Sequence, residues 1–433
     1  MNAFLENIPA VVKLLVVFAF LLVAIRRKLS LGNAFFFSSI LLGLLFAMPP
    51  LAIAKSIVSS ALYPKTLALS VVVSLILVLS NSMEAGGQMR RLLDNFRGLI
   101  TDVRLNIIVF PALIGLLPMP GGAVFSAPMV KSIGKDTELN SVQLSYINQW
   151  FRHIWEYWWP LYPGVLLATT LANLDLWTFV FAMMPITLFA LGFGYLPVKA
   201  SMRHKDGRRQ HAERPPLGPF LKELAPILTV IIGGLGLGEG ISFFYPQWPI
   251  AIEIGLIFSL CVAIVWIWAQ NRMRAEQLKK ILLDPQLLNM IYMAMAILLF
   301  KGIMEDSRAV QAIAREFTMM RLPLVLIVVF LPFFVGAIIG MTIGYVGSTL
   351  PILIPLVASF GEQAHILPYM VLAFGSGFMG TLFTPMHLCF VLTNQYFRVS
   401  LPQVYRIVAM PHALLFTSIF LYFWLLKFLG GLW

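Results

Sequence analysis

The sequence predicts an all-α polytopic membrane protein with about ten transmembrane helices and two re-entrant hairpins, arranged as two repeats of inverted topology. Three observations predict this fold. Of the 433 residues, 59% are hydrophobic and 12% are charged, whereas a soluble domain carries about 25% charged residues. Long apolar segments recur along the chain, and their order is the same on either side of one basic loop. The composition excludes a soluble enzyme, a secreted disulfide-stabilised domain and a disordered chain.

Intact spans are expected where about 20 consecutive residues are mostly apolar, because that length crosses a bilayer. These segments are 8–25, 31–49, 65–83, 176–197, 220–238, 249–269, 285–304 and 404–427. Two further spans, 141–173 and 366–397, are interrupted by proline and glycine. The segments 105–134 and 322–359 are interrupted in the middle and are predicted to enter the membrane and return. Such irregular backbone needs protein or water around it at membrane depth.

The basic residues are expected to set the orientation of these spans. In this arrangement most of the 31 Lys and Arg residues fall on one side, including those of the loop Lys199–Pro216. Cytoplasmic loops are enriched in Lys and Arg, so this side is predicted to be cytoplasmic and the N-terminus to lie outside. The net charge of +12 therefore indicates orientation, and nucleic acid is not an expected partner.

The basic linker 199–219 separates two halves, 1–198 and 220–433, that contain the same series of segments. Each half has three spans, an amphipathic segment (84–104 or 305–320), a hairpin, a broken span and a final span. Each half has an odd number of full spans, so the second half must enter the membrane upside down. Inverted repeats are common in secondary transporters, although channels and membrane enzymes also arise by duplication. The amphipathic segments are expected either to join a fixed to a moving part or to be surface linkers.

The turns between the two arms of each hairpin, called tips below, are candidate anion sites. A half-helix that begins at the first tip would direct free backbone N–H groups and its positive dipole end at an anion. The second tip offers the same geometry with more hydroxyl groups. The substrate-binding residues predicted at the tips are Pro120, Gly121, Gly122, Ser126, Thr342, Gly344, Ser348 and Thr349. The alternative is that small residues here allow close helix packing.

The first broken span contains ionisable residues that topology does not explain. Asn148, Arg152 and Glu156 are four residues apart, so one helix face is predicted to carry all three. Arg152 is predicted to hold an anionic substrate with its planar guanidinium. Asn148, Glu156 and His153 are predicted to couple transport to an ion, since histidine titrates near neutral pH. The alternative is an interfacial tryptophan belt with a surface Arg152–Glu156 ion pair.

In the second broken span, Ser376 and Thr384 are predicted to bind substrate, and His387 to take part in ion coupling. A lone histidine such as His387 is more often a packed polar residue. The sequence contains no Walker loop, no zinc-protease helix and no Cys–His metal spacing, so no catalytic residue and no metal site are predicted. No cofactor is therefore expected, apart from Na⁺ or H⁺ as the coupling ion.

Three segments carry a resemblance over essentially the whole chain: LLPMPGGAVFSAPMV (116–130), NQWFRHIWEYWWPLYPG (148–164) and TPMHLCFVLTN (384–394). The chain resembles an uncharacterised family of prokaryotic integral membrane proteins, and that family is similar to the ion transporter superfamily of secondary carriers. The resemblance implies an elevator-type homodimer in the cytoplasmic (inner) membrane, with substrate and cation bound by hairpins and broken spans. The first tip departs from the Ser-Asn-Thr signatures of carboxylate carriers in that superfamily.

The expected function is secondary active transport of a small anionic, carboxylate-like organic solute by symport with H⁺ or Na⁺, through elevator-type alternating access. The expected partners are this solute, membrane lipid and a second copy of the chain. Two alternatives stay open at this point. One is a cation/proton antiporter without an organic substrate, for which Glu156 would be indispensable. The other is a membrane-embedded lipid carrier or enzyme that acts on an anionic head group.

Overall fold

The computed structural model describes residues 7–100, 102–119, 122–135, 137–201 and 215–430. Every regular element in these ranges is helical. This follows from the apolar sequence, because a helix satisfies its own backbone N–H and C=O groups where no water is present. The predicted all-α class is therefore confirmed. Most of the basic linker and part of the first tip lie outside these ranges.

The helices of the first half are defined by proline, glycine and polar residues at their ends. They are α1 (Ala10–Arg26), α2 (Leu31–Leu45), α3 (Pro50–Leu62), α4 (Pro64–Ala85), α5 (Gln88–Phe96), α6 (Val103–Ile114), α7 (Ala123–Gly134), α8 (Ser141–Arg152), α9 (Pro163–Ala172) and α10 (Leu176–Ser201). Pro50, Pro64 and Pro163 each open a helix, where the missing N–H of proline has no partner to lose.

The second half contains a comparable succession of helices. They are α11 (Leu217–Leu228), a π-helical turn (Thr229–Gly234), α12 (Leu235–Phe244), α13 (Ala251–Gln270), α14 (Ala275–Leu282), α15 (Pro285–Asp306), α16 (Ala309–Met319), α17 (Leu324–Ile339), α18 (Thr342–Ser359), a 3₁₀ turn (Gln363–His365), α19 (Ile366–Phe383), α20 (Leu388–Phe397) and α21 (Leu401–Gly430). Gly340, in the left-handed conformation, ends α17 just before α18 begins.

Eight segments of the described chain are long and apolar enough to cross a membrane. They are Pro64–Ala85, Leu176–Ser201, Leu217–Phe244, Ala251–Gln270, Ala275–Asp306, Thr342–Ser359, Gln363–Phe397 and Leu401–Gly430. The protein is thus a helical membrane protein. Helices α1 and α2, with 17 and 15 residues, are shorter than the roughly 20 residues of a straight span. The predicted total of about ten spans stays a prediction.

The interrupted helices lie at the centre of the molecule. In an apolar 18-residue window of Gln363–Phe397, which includes the second broken span, 83% of the residues are buried, whereas only 17% are buried in the corresponding window of Leu401–Gly430. Helices α17 and α19 approach so closely that a Cβ atom on Gly336 or Gly380 would overlap backbone of the other helix. The final helix α21 therefore offers most of its surface to lipid, while the broken spans are enclosed by protein.

The helices pack into two groups. The intact group consists of α2, α15, α4 and α13, which pack in that order, each on the next. The interrupted group consists of the two hairpins (α6 with α7 and α17 with α18) and the two broken spans (α8 with α9 and α19 with α20). Each hairpin contacts the broken span of the other half, since α7 packs on α20 and α18 packs on α9. The two groups meet where α4 touches α9 and α15 touches α18.

The amphipathic helices α5 and α16 are shorter than the segments 84–104 and 305–320 that the sequence indicated. Gly87 and Arg308, both with positive φ, separate them from the preceding helices α4 and α15. Each is tied to the first helix of the opposite half. Arg91 on α5 forms an ion pair of 3.0 Å with Glu223 on α11. The Glu316 carboxylate on α16 accepts a hydrogen bond of 2.8 Å from a free backbone N–H at the start of α1.

Candidate functional site

The interruptions of both broken spans meet at a cluster of buried polar side chains. We call this cluster the polar centre. Its members are Arg152, His153, Glu156, His387 and Cys389, and all of them are buried. Arg152 ends α8, His153 and Glu156 lie in the link between α8 and α9, and His387 and Cys389 lie at the start of α20. The two halves of the chain therefore both contribute to the polar centre.

Arg152 lies against the start of the half-helix α7. Its Nη2 donates a hydrogen bond of 2.7 Å to the carbonyl oxygen of Met119, and its Nη1 lies 3.3 Å from Cys389 Sγ. A Cβ atom on Gly122, the residue before α7, would overlap the guanidinium, so a larger residue there would displace Arg152 from this position. The Nε atom of Arg152 is buried without a hydrogen-bond partner among the described atoms. A positive side chain thus faces the positive end of a helix, an arrangement that calls for an anion.

His153 and His387 face each other across the polar centre. Their Nε2 atoms are 2.9 Å apart, and the ring centroids are separated by 4.7 Å. Each Nδ1 atom faces a backbone carbonyl oxygen, at 2.5 Å from Gln149 for His153 and at 3.1 Å from Gly340 for His387. The histidines are therefore held in place by the backbone of α8 and of the second tip.

Glu156 lies at the start of the other half-helix, α18. Thr342, the first residue of α18, donates a hydrogen bond of 3.4 Å from Oγ1 to the Glu156 carboxylate. A second oxygen of this carboxylate is 3.8 Å from His153 Nε2. Because a helix N-terminus attracts negative charge, the carboxylate stabilises the start of α18. This half-helix already has an anionic group of the protein at its N-terminus.

The prediction that Asn148, Arg152 and Glu156 share one helix face is wrong for Glu156. Helix α8 ends at Arg152, and the chain continues through tight turns in which backbone N–H groups bond to carbonyls three residues earlier. Pro160 and Pro163 each lack a backbone N–H and cannot continue an α-helix here. The broken helix explains how Glu156 reaches α18 while Arg152 reaches α7.

The aromatic side chains of the link support the first tip. Trp155 and Trp159 donate from Nε1 to the carbonyl oxygens of Ala112 and Leu116, at 2.8 and 2.9 Å. Tyr162 donates to the carbonyl of Gly115 at 2.6 Å. These carbonyls lie at the end of α6, where no further helical turn satisfies them. Because the tryptophans bond to protein, and Arg152 and Glu156 are 2% and 7% exposed, the alternative of a surface ion pair in an aromatic belt is wrong.

Asn148 extends the polar centre along α8. Its Nδ2 donates to the carbonyl of Ala123 at 3.1 Å and to Thr393 Oγ1 at 3.0 Å, so it joins α8 to the start of α7 and to α20. Its Oδ1 is buried without a partner among the described atoms. Ser145 and Asn394, one turn further along, form a hydrogen bond of 2.5 Å between the same helices. Asn148 is among the residues predicted from the sequence, whereas Thr393 and Asn394 are not.

The other predicted site residues have different surroundings. The hydroxyl groups of Ser126, Ser348 and Thr349 donate to carbonyls of their own helices, so their side chains are already satisfied. Thr384 Oγ1 accepts a hydrogen bond from the Met386 backbone N–H. Gly344 packs against Ile339, and the Ser376 hydroxyl is buried without a partner among the described atoms. Pro120 and Gly121 lie outside the described residues.

A cavity of about 290 Å³ lies beside the first tip. It is bounded by α2, α4 and α15 of the intact group on one side, and by Pro118 and Pro163 of the interrupted group on the other. Pro118 directly precedes Met119, whose carbonyl binds Arg152. The polar groups in its wall are Ser30, Gln286 and Asn289. The cavity has the size of a small organic molecule and lies between the two helix groups.

Three side chains of the polar centre have atoms that can bind a metal ion. His153, His387 and Cys389 each offer one such atom, and these atoms lie within 4.8 Å of one another. No metal-ligand spacing is visible in the sequence, because the two histidines are 234 residues apart. Cys389 is not among the residues predicted from the sequence, although it lies two positions after His387. The sequence signal that identifies it is the short segment His387-Leu388-Cys389 at a helix interruption.

The fold and the site define a helical membrane protein in which interrupted helices surround a buried polar centre. The chain belongs to the family described as "Protein of unknown function (DUF401)", which it matches over residues 10–426. This match confirms the expected membership of an uncharacterised family. A comparison with curated proteins gave no match.

Proposed function

We propose that this protein is a secondary active transporter of a small anionic organic solute of carboxylate type, driven by symport with H⁺ or Na⁺. The observation that carries the proposal is the position of Arg152 at the start of α7. A buried guanidinium and a helix N-terminus are both positive, and the described hydrogen-bond partners of the guanidinium include no carboxylate. A solute carboxylate bound here would compensate both charges, and the free Arg152 Nε is available to donate to it.

The cavity beside the first tip supports a solute of small size. Its volume of about 290 Å³ is at the lower end of the range for ligand sites. It borders the same tip that binds Arg152 through Met119, and we assign it as the approach to the guanidinium. In this proposal Gly122 and Arg152 hold the carboxylate, and the sequence assigns Pro120 and Gly121 to the same substrate site. The proposal also keeps the predicted substrate-binding residues of the second half, among which the Ser376 hydroxyl is buried without a described partner; they are Thr342, Gly344, Ser348, Thr349, Ser376 and Thr384.

The coupling ion is assigned to the region between the two tips. Glu156 and His153 lie next to each other, and His387 approaches from the other half of the chain. The buried, unpartnered Oδ1 of Asn148 offers a further oxygen to a cation. Binding of the solute at Arg152 and of the cation near Glu156 would place opposite charges on neighbouring parts of one site. This arrangement favours their movement together.

Elevator-type movement is proposed from the two packed groups of helices. The interrupted group holds the polar centre, and the intact group lies across the cavity from it. Helices α5 and α16 are each tied to the first helix of the opposite half and also contact a hairpin, as expected of arms that connect a moving to a fixed part. This correspondence supports two inverted repeats. The proposal includes a homodimer in the cytoplasmic membrane, with the N-terminus outside.

Thermal unfolding of the purified protein with small carboxylates tests the proposal, with Na⁺ and pH varied. A ligand that binds only the native state raises its stability, by about 2.7 kcal/mol at one hundred times the Kd. The stabilising carboxylate should then be taken up into proteoliposomes only when an H⁺ or Na⁺ gradient is applied. If no small anion stabilises the protein and Glu156 is required for cation/proton exchange, the protein is an antiporter. If only anionic lipids stabilise the protein, it is a lipid carrier or an enzyme that acts on an anionic head group.

A further inference from the structure

We propose that His153, His387 and Cys389 bind a transition metal ion of the Zn²⁺ type in the polar centre. The inference concerns metal binding by the protein and is tested without transport, although its site overlaps the one assigned to the coupling ion because both use His153 and His387. The three candidate ligand atoms are His153 Nε2, His387 Nε2 and Cys389 Sγ, and they lie within 4.8 Å of one another. All three residues are buried by the protein. Imidazole and thiolate are the ligands that Zn²⁺ prefers.

The hydrogen bonds of the two histidines direct both Nε2 lone pairs at the same place. A carbonyl oxygen only accepts hydrogen bonds, so the Nδ1 atoms that face Gln149 and Gly340 must carry the protons. In the neutral rings both Nε2 atoms are then acceptors, and they face each other at 2.9 Å. Two lone pairs at this distance repel unless a cation lies between or beside them, and Arg152 Nη1, 3.3 Å from His153 Nε2, is one such cation. A metal ion bound by both Nε2 atoms would replace this contact and leave Nη1 to the Cys389 sulfur. Metal-binding histidines typically have this outer hydrogen bond from the other ring nitrogen to a carbonyl.

The distances fit a tetrahedral metal site after small adjustments. With Zn–N near 2.0–2.1 Å and Zn–S near 2.3 Å, neighbouring ligand atoms are about 3.3–3.6 Å apart. The two Nε2 atoms at 2.9 Å would separate slightly, and the Sγ atom already lies within 4.8 Å of both. Glu156, whose Oε1 is 3.8 Å from His153 Nε2, is the nearest additional carboxylate. The fourth position is therefore open to Glu156, water or an anion.

Arg152 is compatible with a metal here because it contacts the sulfur. Its Nη1 lies 3.3 Å from Cys389 Sγ, where it can donate to a thiolate that also binds a metal. The negative charges of the thiolate and of the Glu156 carboxylate compensate the positive charge of Arg152 and part of the charge of the metal ion. A metal would also join the two broken spans, because His153 comes from one and His387 and Cys389 from the other.

Metal binding is tested on the full-length protein, purified in detergent without any solute and stripped with a chelator. After incubation with Zn²⁺ and desalting, elemental analysis is expected to find one ion per chain at a Kd in the micromolar range or below. Titration with Co²⁺ should produce the intense visible bands of a tetrahedral site and a near-ultraviolet thiolate-to-metal charge-transfer band. The latter band reports the cysteine ligand directly.

The variants His153→Ala, His387→Ala and Cys389→Ser should each weaken Zn²⁺ binding at least tenfold, and Cys389→Ser should remove the charge-transfer band. The chain offers matched controls. Cys261 is an exposed free cysteine, and His412 is a buried histidine outside any such cluster among the described residues. Cys261→Ser and His412→Ala should leave both signals unchanged. Size-exclusion profiles and thermal unfolding identify any variant that does not fold.

The proposal is overturned if the unmodified protein retains no Zn²⁺, or if folded Cys389→Ser and His387→Ala variants retain it unchanged. In the first case a shared proton between the two Nε2 atoms accounts for their contact. In the second case the ion is bound elsewhere on the surface. Because no solute is present, these outcomes leave the transport proposal intact. Conversely, loss of carboxylate transport would leave a Co²⁺ spectrum that depends on Cys389 unaffected.

Discussion

The two half-helices that begin at the hairpin tips meet opposite charges. Helix α7 begins beside the Arg152 guanidinium, whereas α18 begins with Thr342, whose hydroxyl donates to the Glu156 carboxylate. Since the N-terminus of a helix attracts negative charge, the start of α18 is matched by a carboxylate of the protein, and the described residues place no such carboxylate at the start of α7. Two elements that correspond in the chain therefore differ in what they can bind. The first tip is suited to an external anion, and the second is already compensated.

The largest effect is expected from Arg152→Ala, which removes the positive group at the first tip. Truncation of one member of a buried charged contact costs about 2–5 kcal/mol, so carboxylate uptake into proteoliposomes should fall by about 30-fold or more. Arg152→Lys keeps the charge but loses the planar guanidinium, so its uptake should lie between that of the unmodified protein and that of Arg152→Ala. Arg90→Ala, at an exposed position, is the control. Unchanged uptake in Arg152→Ala would mean that the two tips do not differ in the way proposed.

A smaller but still large effect is expected from Gly122→Ala. The added Cβ atom would overlap Arg152 Nη2 and displace the guanidinium from the start of α7. Overpacking of this kind costs about 1–3 kcal/mol, which corresponds to roughly a tenfold loss of solute affinity. The affinity is measured by thermal unfolding at increasing solute concentration. In Gly192→Ala the Cβ meets no atom within 4 Å, so this variant should bind like the unmodified protein.

At the second tip, Glu156→Gln should separate binding from coupling. It removes the charge at the start of α18, which lowers the free energy of unfolding by about 1–2 kcal/mol. Solute affinity should change less than in Arg152→Ala, because the carboxylate does not hold the solute. Gradient-driven accumulation should be lost while solute exchange between equal concentrations continues. Glu305→Gln, at a carboxylate 53% exposed, is the matched control. Loss of solute binding in Glu156→Gln would show that both tips hold the solute.

The smallest effects are expected at the contacts that tie α5 and α16 to the opposite halves. Glu316→Gln weakens the cap on α1 and should lower the free energy of unfolding by about 1 kcal/mol. Arg91→Gln should cost somewhat more, because Arg91 donates to both oxygens of the Glu223 carboxylate, which is 8% exposed, and also to Gly86 and Asn271. Chemical unfolding in detergent measures both. A cost at Arg91 that is smaller than the cost at Glu316 would contradict this order.

Much of the fold follows from local sequence, but the contents of the polar centre do not. Apolar segments and their proline and glycine interruptions predict the helices and the two hairpins, since lipid permits few other structures. Arg152, His153, Glu156 and His387 were found because ionisable residues are rare in such segments. Their mutual contacts were not predictable. The Arg152–Cys389 contact joins residues 237 positions apart, and a cysteine in an apolar helix has no local signal.

The exact ends of the helices are a second feature that the sequence did not predict. The four-residue spacing of Asn148, Arg152 and Glu156 predicted one continuous face, because periodicity assumes that the helix persists. Tertiary contacts ended α8 at Arg152 and turned Glu156 toward α18. Likewise, the amphipathic pattern around α5 did not mark its first residue, which is set by Gly87 in a left-handed conformation. These boundaries depend on what the neighbouring helices bury.

The long chain separations within the polar centre also constrain the order in which the protein can be made. Residues of α8 are synthesised and inserted well before Thr393 and Cys389 exist, which lie 245 and 237 positions after their partners Asn148 and Arg152. During this interval Arg152 cannot make its contact with Cys389, and an arginine without its partners is costly in lipid. The first broken span can thus complete its packing only after α20 has been synthesised, so the polar centre forms late in the synthesis of the chain.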